Sequence, residues 1–253
     1  MIKNIFIGIK TYSRSLHLIN SLKLWKYFAI PMLISLVTAI IIGFLAYGLS
    51  DNIGFYIAKI WVWEWGKEGF ITFSNLLGAA TILILGLILY KHIIMALSAP
   101  FMGPISEKIE AHLNDGHQHA HRTTTFKEQL WRGIRINVRN LLKELMITIP
   151  IILIGLIPII GFFASLLVFL IQAYYAGFGN MDYTLERHFK YRESIVFVRK
   201  HRGIAIGNGI LFMLFLLVPV LGIILVLPLS VTAATINTVD LLKNEKPGIV
   251  TST

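Results

Sequence analysis

Four cations stand in line between Arg132 and Lys143. Arg132, Arg135, Arg139 and Lys143 fall at steps of three, four and four, which sets them along one side of a helix. Phe126, Leu130, Ile134, Val138, Leu141 and Leu145 form a second, apolar stripe on the same segment. A helix divided in this way belongs at a membrane interface. A row of guanidinium and ammonium groups there is the chemistry of anion selection, because it supplies both a favourable field and hydrogen-bond donors.

Two further words repeat one device. LIPIIGFF (Leu156–Phe163) and LVPVLGII (Leu217–Ile224) lie 61 positions apart. Each interrupts a long apolar run with a proline and, three residues on, a glycine: Pro158 with Gly161, and Pro219 with Gly222. The arms on either side are short for a bilayer crossing, which needs about 20 residues. A basic segment precedes each unit, so the two form a weak internal repeat. Such arms either cross as thin hairpins or turn back at the proline corner within the lipid. Backbone at that depth is tolerated where protein buries it or a cavity receives it. Broken helix ends point unpaired N–H or C=O groups at such a cavity, and the N-terminal ends favour anions.

The elements around these residues follow from composition. The chain has 253 residues, with 56% hydrophobic and 14% charged residues and a net charge of +10. Soluble domains carry about 25% charged residues, so an integral membrane protein is expected. Residues 1–26 hold Lys3, Lys10, Arg14, Lys23 and Lys26 and no acid. Residues 98–145 and 180–203 are also rich in bases, whereas 50–73 carries Asp51, Glu64 and Glu68 against Lys59 and Lys67. The basic segments and the N-terminus are therefore placed in the cytoplasm and 50–73 outside. Had 145–179 been a single crossing, the basic 180–203 would lie outside, which favours the returning hairpin.

One membrane domain is expected over 1–253. An amphipathic helix at 1–26 carries the stripe Ile5, Ile9, Tyr12, Leu16 and Ile19 and should lie on the inner membrane surface. Transmembrane helices follow at 28–49 and 75–97, with Lys91 and His92 placed to snorkel from the inner end of the second. Between the two spans, Trp61, Trp63 and Trp65 suit the outer headgroup belt. Residues 98–145 form cytoplasmic helices and a polar linker, with a bend or break expected at Pro100, Gly103 and Pro104. Hairpins at 145–179 and 204–239 complete the chain. The fold class is all-α and membrane-integral, with two long transmembrane helices, two half-penetrating hairpins and interfacial amphipathic helices.

Several chemistries find no support. The chain has no cysteine, hence no disulfide or thiolate site. It shows no phosphate loop, nucleophile elbow or zinc-protease motif, so no enzyme and no cofactor are expected. The tract His117, His119 and His121 reads as a solvated linker rather than a metal site, since alternate residues in a flexible segment have no preset geometry. The bases flank membrane segments, which suits anionic lipid headgroups and not nucleic acid. No cleavable signal is read at the N-terminus.

Ala99–Pro100–Phe101–x–Gly103, followed by Glu107, Glu110 and Leu113, resembles the CysZ-type sulfate permeases and their etoposide-induced relatives. Pro158–x–x–Gly161, Asp182–Tyr183, Pro219, Ala234–Thr235 and Val239–Asp240 extend the resemblance from about Asn20 to Asp240. It implies two long transmembrane helices with two half-penetrating hairpins, a homo-oligomer, and sulfate uptake across the cytoplasmic membrane for cysteine synthesis. It also implies an anion site just before the first span, matched here by Lys23, Trp25 and Lys26. Lys26 fits one basic position, Lys23 stands near a small residue, and Trp25 occupies the place of an expected arginine. Lysine lacks the planar fork that arginine offers an oxyanion. The resemblance further suggests Glu107, pairing with Arg135, as a gate on a pathway lined by Arg132, Arg135 and Arg139. The other reading of Glu107 is a solvated helix acid, and Glu110 reads as solvated.

The function expected is passage of sulfate or a related oxyanion, channel-like or proton-assisted. The alternative is a non-transporting protein that organises the inner leaflet or scaffolds partners there.

Overall fold

In a computed structural model, which describes residues 1–59, 66–114, 122, 124–155 and 158–245, the helix-forming pattern is realised almost end to end. Helix α1 is Ile2–Ser21, α2 Ala29–Ala58, α3 Lys67–Leu113, α4 Phe126–Ile154 and α5 Pro158–His188. Then come α6 (Tyr191–Lys200), α7 (Arg202–Leu216), α8 (Pro219–Ile224) and α9 (Val226–Glu245). No strand occurs among the described residues, and the chain is an all-α membrane protein. Leu24–Leu49, Leu85–Leu113 and Ile160–His188 are long and apolar enough to cross a membrane. Trp61, Trp63, Trp65 and the tract His117, His119, His121 lie outside the described residues.

Polar and apolar faces are arranged the opposite way from a soluble protein. Phe44 is 75% exposed and Phe162 72%, whereas Lys91 and Glu144 are fully buried. On α4 the buried face is Gly133, Ile136, Asn137, Asn140, Glu144 and Thr148, while Phe126, Val138 and Leu142 face outward. Lipid tails solvate those outer side chains, so polar and small residues are left to mediate contacts between helices.

Helix α3 corrects one expectation. It runs unbroken for 47 residues through Pro100 and Pro104. Each proline leaves the carbonyl four residues back, at Ala96 and at Pro100, without its helical donor. Ala96, whose carbonyl Pro100 frees, packs against Gly133 of α4, where a Cβ would come within 3.0 Å of that oxygen. The Gly103 carbonyl accepts from Ser106 Oγ (2.9 Å) and from Arg187 Nη1 (3.1 Å).

Helix α1 has protein partners that its sequence does not announce. It packs on α7 and α9 through Gly8, Thr11, Tyr12, Ser15, Leu18 and Ile19, while Leu16 of the apolar stripe stays outside. Protein covers that face, because small residues permit close approach: a Cβ on Gly207 would stand 2.2 Å from the Ile5 carbonyl. The Tyr12 hydroxyl lies 2.6 Å from the Asn208 carbonyl and 2.8 Å from Ser230 Oγ, and burial pushes its pKa up.

The two proline words sit at helix junctions. Helix α5 opens on Pro158, where a missing N–H costs nothing. Gly161 lies against the Gly155 carbonyl, 2.5 Å from where its Cβ would be, so α4 and α5 meet closely just past their connection. Leu156 and Ile157 lie outside the described residues. Pro219 opens the six-residue helix α8, and a Cβ on Gly222 would come to 3.2 Å from Leu216 Cα. The basic stripe and the first hairpin arm are one continuous helix, capped by a Thr125–Glu128 box.

Candidate functional site

The chain breaks between α1 and α2 at Lys23, whose φ of 49° is left-handed, a conformation that costs a side-chain-bearing residue energy. A 3-10 turn, Leu24–Phe28, follows, with Leu24 and Phe28 buried as its anchors. Lys23 and Lys26 are left exposed. Trp25 turns toward α1 and donates from Nε1 to Asn20 Oδ1 at 2.7 Å. Lys26 Nζ lies 5.2 Å from the centre of the Tyr27 ring, and Lys108 Nζ of α3 lies 3.9 Å from it. Among the described residues no carboxylate is within ion-pair distance of Lys23, Lys26 or Lys108.

A buried charged seam runs through the helices behind this turn. Lys91 Nζ donates to Glu144 Oε1 at 2.6 Å, and His92 Nε2 lies 3.1 Å from Glu144 Oε2. The expectation that Lys91 and His92 snorkel is therefore overturned: α4 brings them a carboxylate inside the bundle. Glu110 is also buried rather than solvated. Arg187 Nη2 donates to its Oε2 at 2.8 Å, and His188 Nε2 stands 2.7 Å from its Oε1. Helix α5 supplies these partners from one side, which no local reading of Glu110 reveals.

Of the basic stripe, Arg132 points inward. Its Nε and Nη2 donate to the two oxygens of Asp182 at 2.9 and 2.8 Å, and its Nη1 donates to the Phe189 carbonyl at 2.8 Å. Burial pulls this guanidinium down, but the Asp182 charge and its hydrogen bonds outweigh that, holding Arg132 above its ordinary pKa. Arg135 lies 4.0 Å over the Tyr191 ring, and Arg139 donates to Asn140 Oδ1 at 2.8 Å. Glu107 is exposed and makes no ion pair with Arg135. A cavity of about 190 Å³ opens beside this group, lined by Arg122, Arg132, Arg135, Lys190, Glu128 and Glu186 among others. Glu186 is buried there, and its Oε1 accepts no hydrogen bond.

The structure thus brings Lys23, Trp25 and Lys26 together at one turn, and Arg132 and Arg135 at one cavity. Pro158 with Gly161, and Pro219 with Gly222, mark separate junctions. Glu144 and Arg187 escaped the sequence reading, and Lys91, Glu110 and Asp182 were named there without their partners. One signal was available: an ionisable residue inside an apolar run, such as Lys91, points to a functional or paired site. Among the described residues no cluster of three His, Asp or Glu side chains has the geometry to hold a metal. Chemically, the arrangement offers fixed positive groups and hydrogen-bond donors.

No curated protein matches the chain. A family model described as "Sulfate transporter CysZ/Etoposide-induced protein 2.4" matches residues 11–227. That stretch takes in the Lys23–Lys26 turn, the charged seam and both proline junctions, and the chain belongs to the CysZ/etoposide-induced protein 2.4 family.

Proposed function

We propose that the protein carries sulfate or a related oxyanion across the cytoplasmic membrane for sulfur assimilation, by a channel-like or proton-assisted route. The observation that carries this reading is the buried seam of charged side chains enclosed by an apolar exterior. Burying an ion costs several kcal/mol, on the order of the whole stability margin of a domain, so such a seam suggests a use beyond packing. Lys23, Trp25 and Lys26 form the anion-binding site, where two cations stand without carboxylates among the described residues. Arg132, Arg135 and Arg139 line the inner mouth with Glu107 at its rim. Residues 145–179 and 204–239 dip partway into the lipid, turning at Pro158–Gly161 and Pro219–Gly222. The whole chain acts as one membrane domain with its basic segments in the cytoplasm, in contact with anionic lipids and assembled as a homo-oligomer.

One observation favours a second reading. Arg132, Arg187 and Lys91 each already have a carboxylate partner, as expected of a rigid scaffold that organises the inner leaflet without transport. Radiolabelled sulfate uptake into proteoliposomes, competed with sulfite, thiosulfate, phosphate and chloride, separates the two. Uptake that competes with oxyanions and falls on joint Lys23→Ala and Lys26→Ala substitution supports the carrier. Tight binding of anionic lipid with no uptake supports the scaffold.

A further inference from the structure

The cavity of about 190 Å³ lies where α4, the end of α5 and the start of α6 meet, and the charges of its lining do not cancel. Arg132 is held by Asp182, and Arg122 by Glu128. Three charged groups are left over. Arg135 and Lys190 form no ion pair among the described residues, and the Tyr191 ring beneath Arg135 holds that guanidinium at the wall. Glu186 is the third. It is only 3% exposed and, among the described residues, makes no hydrogen bond and no ion pair. The cations near enough to act on it are Arg187, Arg132 and Arg122, and each is already engaged by another carboxylate. Asp182, one turn earlier on α5, adds a like charge. A buried carboxylate so placed is short of a donor, and leaving such a group unpaired is costly.

We propose that this cavity binds an amino-phosphate, a primary ammonium joined by a short linker to a phosphate, with the ammonium donating to Glu186 and the phosphate held by Arg135 and Lys190. The charges match: two cations and one carboxylate of the lining meet a dianionic phosphate and one ammonium. Sulfate offers acceptors only, so it leaves Glu186 unpaired and is repelled by it. An amine alone meets the field of Arg122, Arg132, Arg135 and Lys190 with nothing to offset it. The cavity is smaller than the roughly 300–1,000 Å³ of sites for drug-sized ligands, which suits a ligand of few heavy atoms. Two sources present this chemistry: phosphoethanolamine free in solution, and the headgroup of phosphatidylethanolamine, which carries one negative charge fewer but the same pair of groups. The site takes a different class of ligand from the carrier reading and does not depend on it.

The test is equilibrium binding of labelled phosphoethanolamine to the purified protein in vesicles of phosphatidylcholine, whose quaternary headgroup has no N–H to donate. Labelled inorganic phosphate and ethanolamine are measured beside it. Phosphoethanolamine is expected to bind at least about tenfold more tightly than either half, because both of its ends are held. Glu186→Gln keeps the shape of the side chain and removes its charge. It should weaken phosphoethanolamine about tenfold and leave inorganic phosphate unweakened. Arg135→Gln, at an exposed position, should weaken phosphoethanolamine and phosphate alike, and it serves if Glu186→Gln does not fold. A second arm repeats the binding in vesicles containing phosphatidylethanolamine or phosphatidylglycerol. Loss of the label with phosphatidylethanolamine alone makes the headgroup the occupant, and retention with both makes it the free compound. Equal loss with phosphatidylglycerol marks a plain anion site and overturns the proposal. So does phosphoethanolamine bound no better than inorganic phosphate, or bound equally by the parent and the Glu186→Gln protein, as happens if Glu186 carries its own proton. None of these measurements reads sulfate uptake, so their failure leaves the carrier reading in place.

Discussion

Lys91 and Glu144 form a fully buried ion pair between α3 and α4, with Nζ 2.6 Å from Oε1 and no exposed side-chain surface on either partner. His92 adds a second contact to the same carboxylate at 3.1 Å, and its other ring nitrogen faces Asn137 Oδ1 at 3.4 Å. The pair therefore ties consecutive residues of one helix to a neighbour. Its attraction is strong because the surroundings are poorly polarisable, and so is the penalty for separating it.

Removing one partner should cost far more than removing both. Glu144→Gln or Lys91→Met leaves a lone charge inside the bundle and is expected to destabilise the protein by about 3–5 kcal/mol. Lys91→Met combined with Glu144→Met should recover most of that loss. Unfolding in detergent, followed by circular dichroism, measures all three; a double variant as unstable as the worse single one would contradict the pairing.

Close helix contacts at glycine should be intolerant of a single methyl group. A Cβ on Gly177 would lie 1.9 Å from the Ala205 carbonyl, so α5 and α7 must part to admit it. Gly177→Ala is expected to cost about 1–3 kcal/mol. Gly43 has nothing within 4 Å of its Cβ position, and Gly43→Ala should be neutral or stabilise by up to about 1 kcal/mol through helix propensity. The same detergent unfolding, run on both variants, shows whether the cost follows space or glycine itself.

The cap of α4 should make a pH-dependent contribution. Thr125 N donates to Glu128 Oε2 at 2.8 Å, and this bond, with the Thr125 side chain and Arg122, holds the carboxyl below its ordinary pKa. A carboxyl depressed in the folded state stabilises fully above its unfolded pKa and loses that contribution as pH falls through the folded one. Glu128→Ala should accordingly be less stable than the parent at neutral pH, with the gap closing in acid. A gap independent of pH would show that the carboxylate charge plays no part.

The hairpin corners can be located against the bilayer without background labelling, because the chain has no cysteine. Phe162 and Leu217 are exposed beside the two corners. In vesicles, Phe162→Cys and Leu217→Cys should resist a membrane-impermeant thiol reagent added on the face opposite Arg132. Ready labelling from that face would mean that both hairpins cross fully.

Much of this architecture was legible because lipid exposure leaves a compositional mark. The apolar runs that contain Leu24–Leu49 and Leu85–Leu113 need no partner to identify them, since their length and lack of charge suit hydrocarbon by themselves. The Pro–x–x–Gly words likewise announce helix junctions through local backbone chemistry. Pro100 and Pro104 announced one that does not exist. There the helix continues through both prolines, with α4 packed closely at Gly133 and Arg187 of α5 donating to the Gly103 carbonyl. The amphipathic reading of α1 found the helix but not the protein that packs on it, because Gly8, Thr11 and Ser15 look indifferent to hydrophobicity and yet allow close approach.

The sequence by itself determined the solvent of this protein, its helical class, and the line of Arg132, Arg135 and Arg139. These depend on neighbours along the chain, which periodicity and charge report directly. Tertiary structure alone decided who pairs with whom: Glu144 with Lys91, Arg187 with Glu110, Asp182 with Arg132, and Lys108 with Tyr27. Each of these pairs joins residues at least 50 positions apart. A charge does not record in its own segment whether a distant helix will bring it a counter-charge, and that is the difference between a snorkelling lysine and a buried one.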